Sequence, residues 1–389
     1  MSYRVWPPPK PNDFRRNARL SIKDQARALA RSISATQRQF SATLGLRPRN
    51  TALVQFVVED ADWAIRRVGT GVRDGIEQIR PGSVNLTTNA SDARQQVVHY
   101  GSQYMWVAWG RHLSRSNRFV TSFFHGKPED GPDIARHIDA FLDTVPRLDR
   151  IVASNGLLRD RLLSWGVPEA KIVQIPIGVD TSLFNPPDTP ARHAARKRFA
   201  VPENAVCIGS FQKDGVGWGD GMEPKFIKGP DLFVESVANL ARDLPVFVLL
   251  TGPARGYVKS RLGKAGIPFT HDYVADYADL RHAYHALDLY LVTSREEGGP
   301  MALMESMASH VPLVSTPVGM APDLITNGRT GWLAEIDSTA IATRAREALS
   351  TTSMDTILHA ARAEVLRCDW QEVAKSHWQN VYLPLMESL

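Results

Sequence analysis

Cysteine is nearly absent: Cys207 and Cys368 are the only two in 389 residues. Two cysteines cannot build a disulfide framework and have no metal-site spacing, so no structural zinc is implied and a reducing compartment is the expectation. Also missing is any run of about 18 uninterrupted apolar residues, the length a membrane-spanning helix requires. The opening Met1 to Lys10, with Pro7, Pro8 and Pro9, lacks the apolar core of a secretory signal, and a soluble cytoplasmic protein is therefore expected. There is no phosphate-loop pattern and no GxGxxG at a strand end, which removes the usual signatures of ATPases and nicotinamide enzymes. Nor is charge of one sign in great excess: a formal net charge of +5 permits nucleotides, acidic lipid surfaces or nucleic acid as partners without selecting among them.

What is present is an ordinary globular composition, 43% hydrophobic and 22% charged, over a length that suits two domains with a core each. Residues 1–43 form a basic N-terminal arm followed by a helix over 21–43, where Leu20, Ile22, Ala26, Leu29, Ile33 and Phe40 recur at a loose helical period. That helix suits packing on its own domain, or a membrane surface or partner. From residue 51 short apolar runs alternate with helical segments. Thr51–Val58, Phe119–Phe124, Ile151–Ala153 and Lys171–Ile175 read as strands, with helices over Pro132–Thr144 and Leu157–Trp165 among the connections. Pro186, Pro187 and Pro190 then break the pattern and mark an interdomain linker. Beyond it Ala205–Ser210, Val246–Thr251, Ile267–His271, Asp288–Thr293 and Val311–Ser315 read as further buried strands. The expected fold is α/β: two Rossmann-like doubly wound parallel-sheet domains, 44–185 and 186–368, and a terminal helix over 369–389. Two such domains in tandem enclose a cleft at the carboxyl ends of their strands, where open α/β sheets hold ligands.

The most informative feature is a pair of glutamates eight positions apart, Glu297 and Glu305, around the turn Gly298, Gly299 and Pro300. Pro300 suits the first position of a helix, since its missing N–H costs nothing there. Glu297 then sits in the loop ahead of unpaired helical N–H groups, with Glu305 about 7 to 8 Å farther along. Met301, Ala302, Leu303, Met304, Met307 and Ala308 leave this helix almost no polar face, so Glu305 points into an interior or a cleft and needs donors there. A structural salt bridge would supply them; so would a ligand. Upstream, Gly209, Gly215, Gly217, Gly219 and Gly221 enrich a strand-to-helix connection that also carries Lys213 and Lys228. Such a connection suits phosphate, because backbone N–H groups and ammonium charges converge on one anion, although a mobile surface loop has the same composition. His125 follows the apolar run ending at Phe124 and precedes Gly126, at a strand's carboxyl end, where it is either a cleft residue or a packed imidazole. Asp60 and Asp62 follow the first strand, and Asp62 equally suits a helix cap.

The stretch Glu297 to Ala308 resembles the Glu-x7-Glu signature of retaining GT-B glycosyltransferases, specifically glycosyltransferase family 4. Arg150 to Ser154, with Gly166 to Phe184, is similar to that family's interdomain entry. Asn327 to Leu333 resembles its late C-domain turn, and Trp370 and the helix after it resemble its returning terminal helix. The likeness covers roughly residues 115–389. It implies that Glu297 contacts the donor sugar's hydroxyls, that Gly298, Gly299, Pro300 and Met301 line the sugar-phosphate pocket, and that Glu305 accepts from the ribose diol. Lys228 would neutralise the diphosphate, His125 would approach from the opposite domain, and the nucleobase would lie near Tyr273 and Val274. The implied donor is a nucleoside diphosphate sugar, the partner a hydroxyl acceptor (glycan, lipid-linked or small molecule), and no metal or further cofactor is called for. Two departures stand out. Ser210 follows Gly209 where the family carries Arg, which leaves Lys213 as the substitute, and Val58 to Trp63 replaces the family's Gly-Gly turn. Asp323 stands where the family often has Glu.

Other classes fit parts of the sequence. Arg15, Arg16, Arg19, Lys23, Arg27 and Arg31 would suit a non-catalytic binder of nucleic acid or an anionic membrane on the same frame. A sugar-nucleotide epimerase or hydrolase would use the same donor pocket.

Overall fold

The computed structural model describes residues 33–41, 44–46, 50–60 and 64–389. Most of the basic arm, with its six cations and Asp62, lies outside the described residues. Residues 33–41 are helical, as the period implied, but the buried position is Ala35, while Ile33 and Phe40 are 52% and 64% exposed. From the same helix Gln39 donates to the His112 carbonyl at 3.1 Å.

Two six-stranded parallel sheets form the frame, as the alternation predicts. The first orders β2 (Val84–Thr87), β1 (Val54–Val57), β3 (Val97–Tyr100), β4 (Arg118–Phe123), β5 (Arg150–Ala153) and β6 (Ile172–Gln174). The second orders β12 (Trp332–Leu333), β11 (Leu313–Ser315), β10 (Leu289–Val292), β7 (Val206–Ser210), β8 (Val246–Leu250) and β9 (Phe269–His271). Their registers are regular, with Val54 opposite both Val84 and Val97 in one sheet and Ile208 opposite Leu289 and Val248 in the other. Helices cover both faces, so β1, β8 and β10 are buried at every position, and β8 and β10 read as unbroken apolar runs rather than alternating ones. β2, β3 and β12 are additions to the strands expected from sequence.

Chain order reverses between β7 and β10, which are adjacent in space although far apart in sequence. Connections leave these two strands in opposite directions, so a crevice opens at their carboxyl ends. The loops at that crevice are the lysine-bearing segment after Ser210 and the glutamate-bearing segment after Val292.

Trp370 locks the end of the chain onto the first lobe. It opens the Trp370–His377 helix, capped by the Asp369 carboxylate, which also accepts from the Thr181 hydroxyl at 2.6 Å. A Cβ on Gly178 would lie 2.2 Å from the Trp370 ring and one on Gly71 2.3 Å, so glycine at both positions is what lets the indole lie flat against them. Farther along, His99 on β3 is fully buried between the Tyr382 hydroxyl, 2.6 Å from Nδ1, and the Ser122 hydroxyl, 2.9 Å from Nε2. The His377 ring stacks 5.9 Å from it. Burial lowers both imidazole pKa values, His99 well below the usual 6.5 and His377 from 6.5 to about 4.

This packing has two testable outcomes. Gly178→Ala should cost about 1–3 kcal/mol through overpacking against Trp370, read as a lower denaturant midpoint; an unchanged midpoint would contradict the contact. Below its ordinary pKa of 6.5 a histidine in the unfolded chain binds protons that folded His377 refuses until about pH 4. Stability is therefore lost progressively as pH falls through that window. His377→Gln should flatten the fall in Tm over it, and an identical slope would show that His377 binds its proton as readily in the folded as in the unfolded chain.

Candidate functional site

At the reversal point the structure brings Lys228 against Glu297. Lys228 Nζ lies 2.6 Å from both Oε1 and Oε2, and the Ser294 hydroxyl donates to Oε1 at 2.8 Å. The backbone explains the approach. Gly229 has φ +63, and a Cβ there would stand 1.8 Å from the Thr293 carbonyl oxygen, so only glycine lets the segment after β7 press onto the end of β10. Arg295 fastens the same junction, donating to both Asp231 carboxylate oxygens at 2.9 and 2.6 Å. The ammonium expected to meet a diphosphate is thus already bonded to the glutamate expected to meet the sugar.

The turn after Glu297 faces the first lobe. Gly298 runs so near the end of β4 that a Cβ on it would lie 2.1 Å from the Phe124 carbonyl oxygen. Its own carbonyl accepts from the Ser154 hydroxyl and, at 2.7 Å, from the Asn155 amide. Pro300 is the residue before the helix rather than its first turn: with φ −69 and ψ 111 it caps the Met301–Ala308 helix. His125, next after Phe124, keeps a solvent-exposed edge in the crevice. Desolvation lowers its pKa, and the nearby Lys228 charge lowers it further against a smaller opposing effect of Glu297, so the imidazole is held toward its neutral form.

Glu305 is only 3% exposed, and its donors come from the chain itself. The Tyr277 hydroxyl donates to Oε1 at 2.5 Å and the Tyr284 hydroxyl to Oε2 at 2.6 Å. Burial raises the carboxyl pKa while the two phenols pull it back down. Neither tyrosine was singled out by sequence. Tyr273 is exposed after β9 and Val274 half-buried beside it; it is Tyr277, four residues on, that reaches the site.

Lys213 turns to the indole of Trp218, with Nζ 3.7 Å from the ring centroid. The guanidinium at the end of β7 belongs instead to Arg255, which donates to the Ser210 and Thr251 carbonyls at 2.6 and 2.9 Å and pairs with Asp214 at 3.1 Å. Both members of that pair are buried, so it anchors the glycine-rich loop rather than facing solvent. Arg66 engages Asp60 from the following helix at 3.4 Å, away from the pair at Lys228.

The lobes are bridged around this crevice. Arg161 donates to Glu296 at 2.7 Å, Lys127 stands 3.5 Å from the same carboxylate, and the Gly156 N–H donates to Asp323 at 2.8 Å. Between them lies a cavity of about 210 Å³ bordered by Asn155, Arg161, Glu297 and Val318. A larger depression of about 320 Å³ sits near Asn50 and Gln96, at the amino-terminal ends of β1 and β3, on the wrong side of the sheet for ligand capture.

Comparison with known proteins bears on the same segment. The family described as Glycosyl transferases group 1 matches residues 219–351. The lipopolysaccharide core biosynthesis mannosyltransferase LpsB of Rhizobium meliloti is 29% identical over 203 residues, half of this chain and 53% of that protein. A D-inositol 3-phosphate glycosyltransferase of Kineococcus radiotolerans is 27% identical over 301 residues, 68% of this chain and 66% of its own. The chain thus matches between half and two thirds of the length of these relatives. Among solved structures, Anabaena Alr3699/HepE in complex with UDP superposes with a TM-score of 0.70 at 16% identity, covering 87% of this chain and all of the other. Sucrose-phosphate synthase from Thermosynechococcus elongatus gives 0.63 at 18%, covering 75% and 74%. With a group 1 glycosyltransferase segment in its second lobe and two facing parallel sheets around the crevice, the chain has the GT-B glycosyltransferase architecture that its likeness to family 4 implied.

Proposed function

We propose that the protein is a retaining glycosyltransferase that moves a sugar from a nucleoside diphosphate donor to a hydroxyl acceptor without a metal ion. The observation that carries this reading is the Lys228–Glu297 pair at the reversal between β7 and β10, facing His125 across the lobes. When the bond between the sugar's anomeric carbon and the phosphate oxygen breaks, negative charge grows on the departing diphosphate. The Lys228 ammonium and the free N–H groups at the start of the Met301–Ala308 helix are the fixed positive groups beside it. Glu297, released from part of its hold on Lys228, accepts from sugar hydroxyls and orients the ring. The acceptor hydroxyl attacks from the face the phosphate leaves, its proton passing to a phosphate oxygen, so the anomeric configuration is kept. Closure of the lobes excludes water, and the Arg161–Glu296 and Asn155–Gly298 contacts favour the closed form.

Relatives narrow the chemistry to be tried first. HepE is known in complex with UDP and glucose, another relative is a GDP-mannose-dependent mannosyltransferase, and LpsB acts in lipopolysaccharide core biosynthesis. A hexose donor on uridine or guanosine diphosphate and a glycan hydroxyl acceptor are the corresponding choices here, with the reaction on the cytoplasmic side, free in solution or at a membrane surface.

Glu297→Gln and Lys228→Ala should each lower turnover at least about tenfold in protein that still folds, because each removes a group used more strongly in the transition state than in the ground state. Unchanged turnover in both would refute the assignment. Proton NMR of the product should show the donor's anomeric configuration retained, and chelator should leave the rate unaltered; an inverted product or a rate abolished by chelator and restored by a divalent cation would overturn the corresponding part.

A further inference from the structure

Tyr277 stands at a junction that the donor scheme leaves unused. Its hydroxyl donates to Glu305 Oε1, its ring meets Phe184 of the interdomain segment edge-on at 5.4 Å, and the Arg67 guanidinium lies over the ring face at 4.0 Å. Arg67 belongs to the Ala64–Ile79 helix of the first lobe, whereas Tyr277 and Glu305 belong to the second. One phenol ring therefore touches both lobes, the segment between them and the carboxylate at the centre of the donor side.

The two tyrosines on Glu305 differ in freedom. Tyr284 is fully buried on the Leu280–His285 helix, wedged against Phe211 and Tyr290 at 4.9 and 5.5 Å. Tyr277 is half-buried on a single short turn, Tyr277–Asp279, where Arg67 lies over its ring and Phe184 meets it edge-on. A buried carboxylate must keep donors on its oxygens. Tyr284 can remain on Oε2 throughout. Oε1 has one donor now, and a vicinal diol offers hydroxyl donors of the same chemistry. Glu305 is only 3% exposed and the Tyr277 hydroxyl already sits on Oε1, so a diol reaching that oxygen has to take over space that covering groups, Tyr277 among them, now occupy.

We infer that Tyr277 gates the donor site: its hydroxyl holds Glu305 until the ribose diol of a nucleoside diphosphate replaces it. Arg67, lying on the ring from the facing lobe, ties that exchange to movement of the lobes. The inference rests on the glycosyltransferase reading and deepens it, because it makes Glu305 a ribose acceptor only after a displacement. The contact costs affinity for the donor and selects for a ribose that carries its hydroxyls.

The test is calorimetric titration of the full chain and two variants with uridine, guanosine and adenosine diphosphates, then with the 2′-deoxy counterpart of whichever binds. Tyr277→Phe keeps the ring and removes the competing donor, so the ribonucleotide should bind about tenfold tighter or more, as expected for loss of a hydrogen bond to a charged group. The gain should shrink for the deoxy nucleotide. Arg67→Met, which leaves the Tyr277–Glu305 bond intact, should also tighten binding, to a smaller extent, and it carries the test should the first variant fail to fold. A Tyr277→Phe protein with an unchanged thermal midpoint and equal or weaker affinity overturns the gate, since a merely supportive tyrosine can only lose affinity when truncated. An equal gain for ribo and deoxy forms overturns the ribose exchange. Binding of no nucleotide by the wild type or either variant sinks the glycosyltransferase reading itself.

Discussion

The contact on which the site depends is the seat of Lys228 on Glu297, with both carboxylate oxygens 2.6 Å from one ammonium. The Glu297 side chain is only 10% exposed, and a carboxylate so enclosed needs donors, which Lys228 and Ser294 supply. On the proposed reading, a diphosphate would offer Lys228 another anion while sugar hydroxyls would offer Glu297 new donors. The reversal of strand order between β7 and β10 and the missing side chain of Gly229 are what bring the two residues together, though 69 positions separate them.

Around that pair the two lobes meet through a small set of polar contacts. His125, Ser154 and Asn155 come from the carboxyl ends of β4 and β5 and meet the Gly298 turn, and the Arg161–Glu296 pair sits at their edge. Trp370, between Gly71 and Gly178, carries the end of the chain back across the lobes, so motion of one lobe against the other bends around a packed indole rather than an open linker. Arg67 on Tyr277 completes this coupling at the donor carboxylate.

Much of this was legible in the residues, for identifiable reasons. In the second sheet both faces are covered and β8 and β10 are unbroken apolar runs, which is why they stand out against their surroundings. β2 and β3 did not: Val84–Thr87 and Val97–Tyr100 are four residues each and carry Asn85 and His99, whose partners Gln55, Tyr382 and Ser122 lie far off in sequence. The Glu297 turn could be read from Gly298, Gly299 and Pro300, while the donors of Glu305 could not, because Tyr277 and Tyr284 reach it from another element with no periodic signal. Lys213 and Arg255 show the limit of assigning a missing family residue by nearness in sequence: the cation that serves the end of β7 lies 45 residues from Ser210, and only folding brings it there. Ile33 and Phe40 misled in the ordinary way, since a loose apolar period does not say which residues along it face the neighbour.

The most direct test of the central claim is a crystal structure of the protein with a nucleoside diphosphate sugar bound. The account predicts the diphosphate against Lys228 and the start of the Met301–Ala308 helix, with sugar hydroxyls on Glu297. A ligand bound elsewhere while Lys228 and Glu297 keep their present bonds would contradict it.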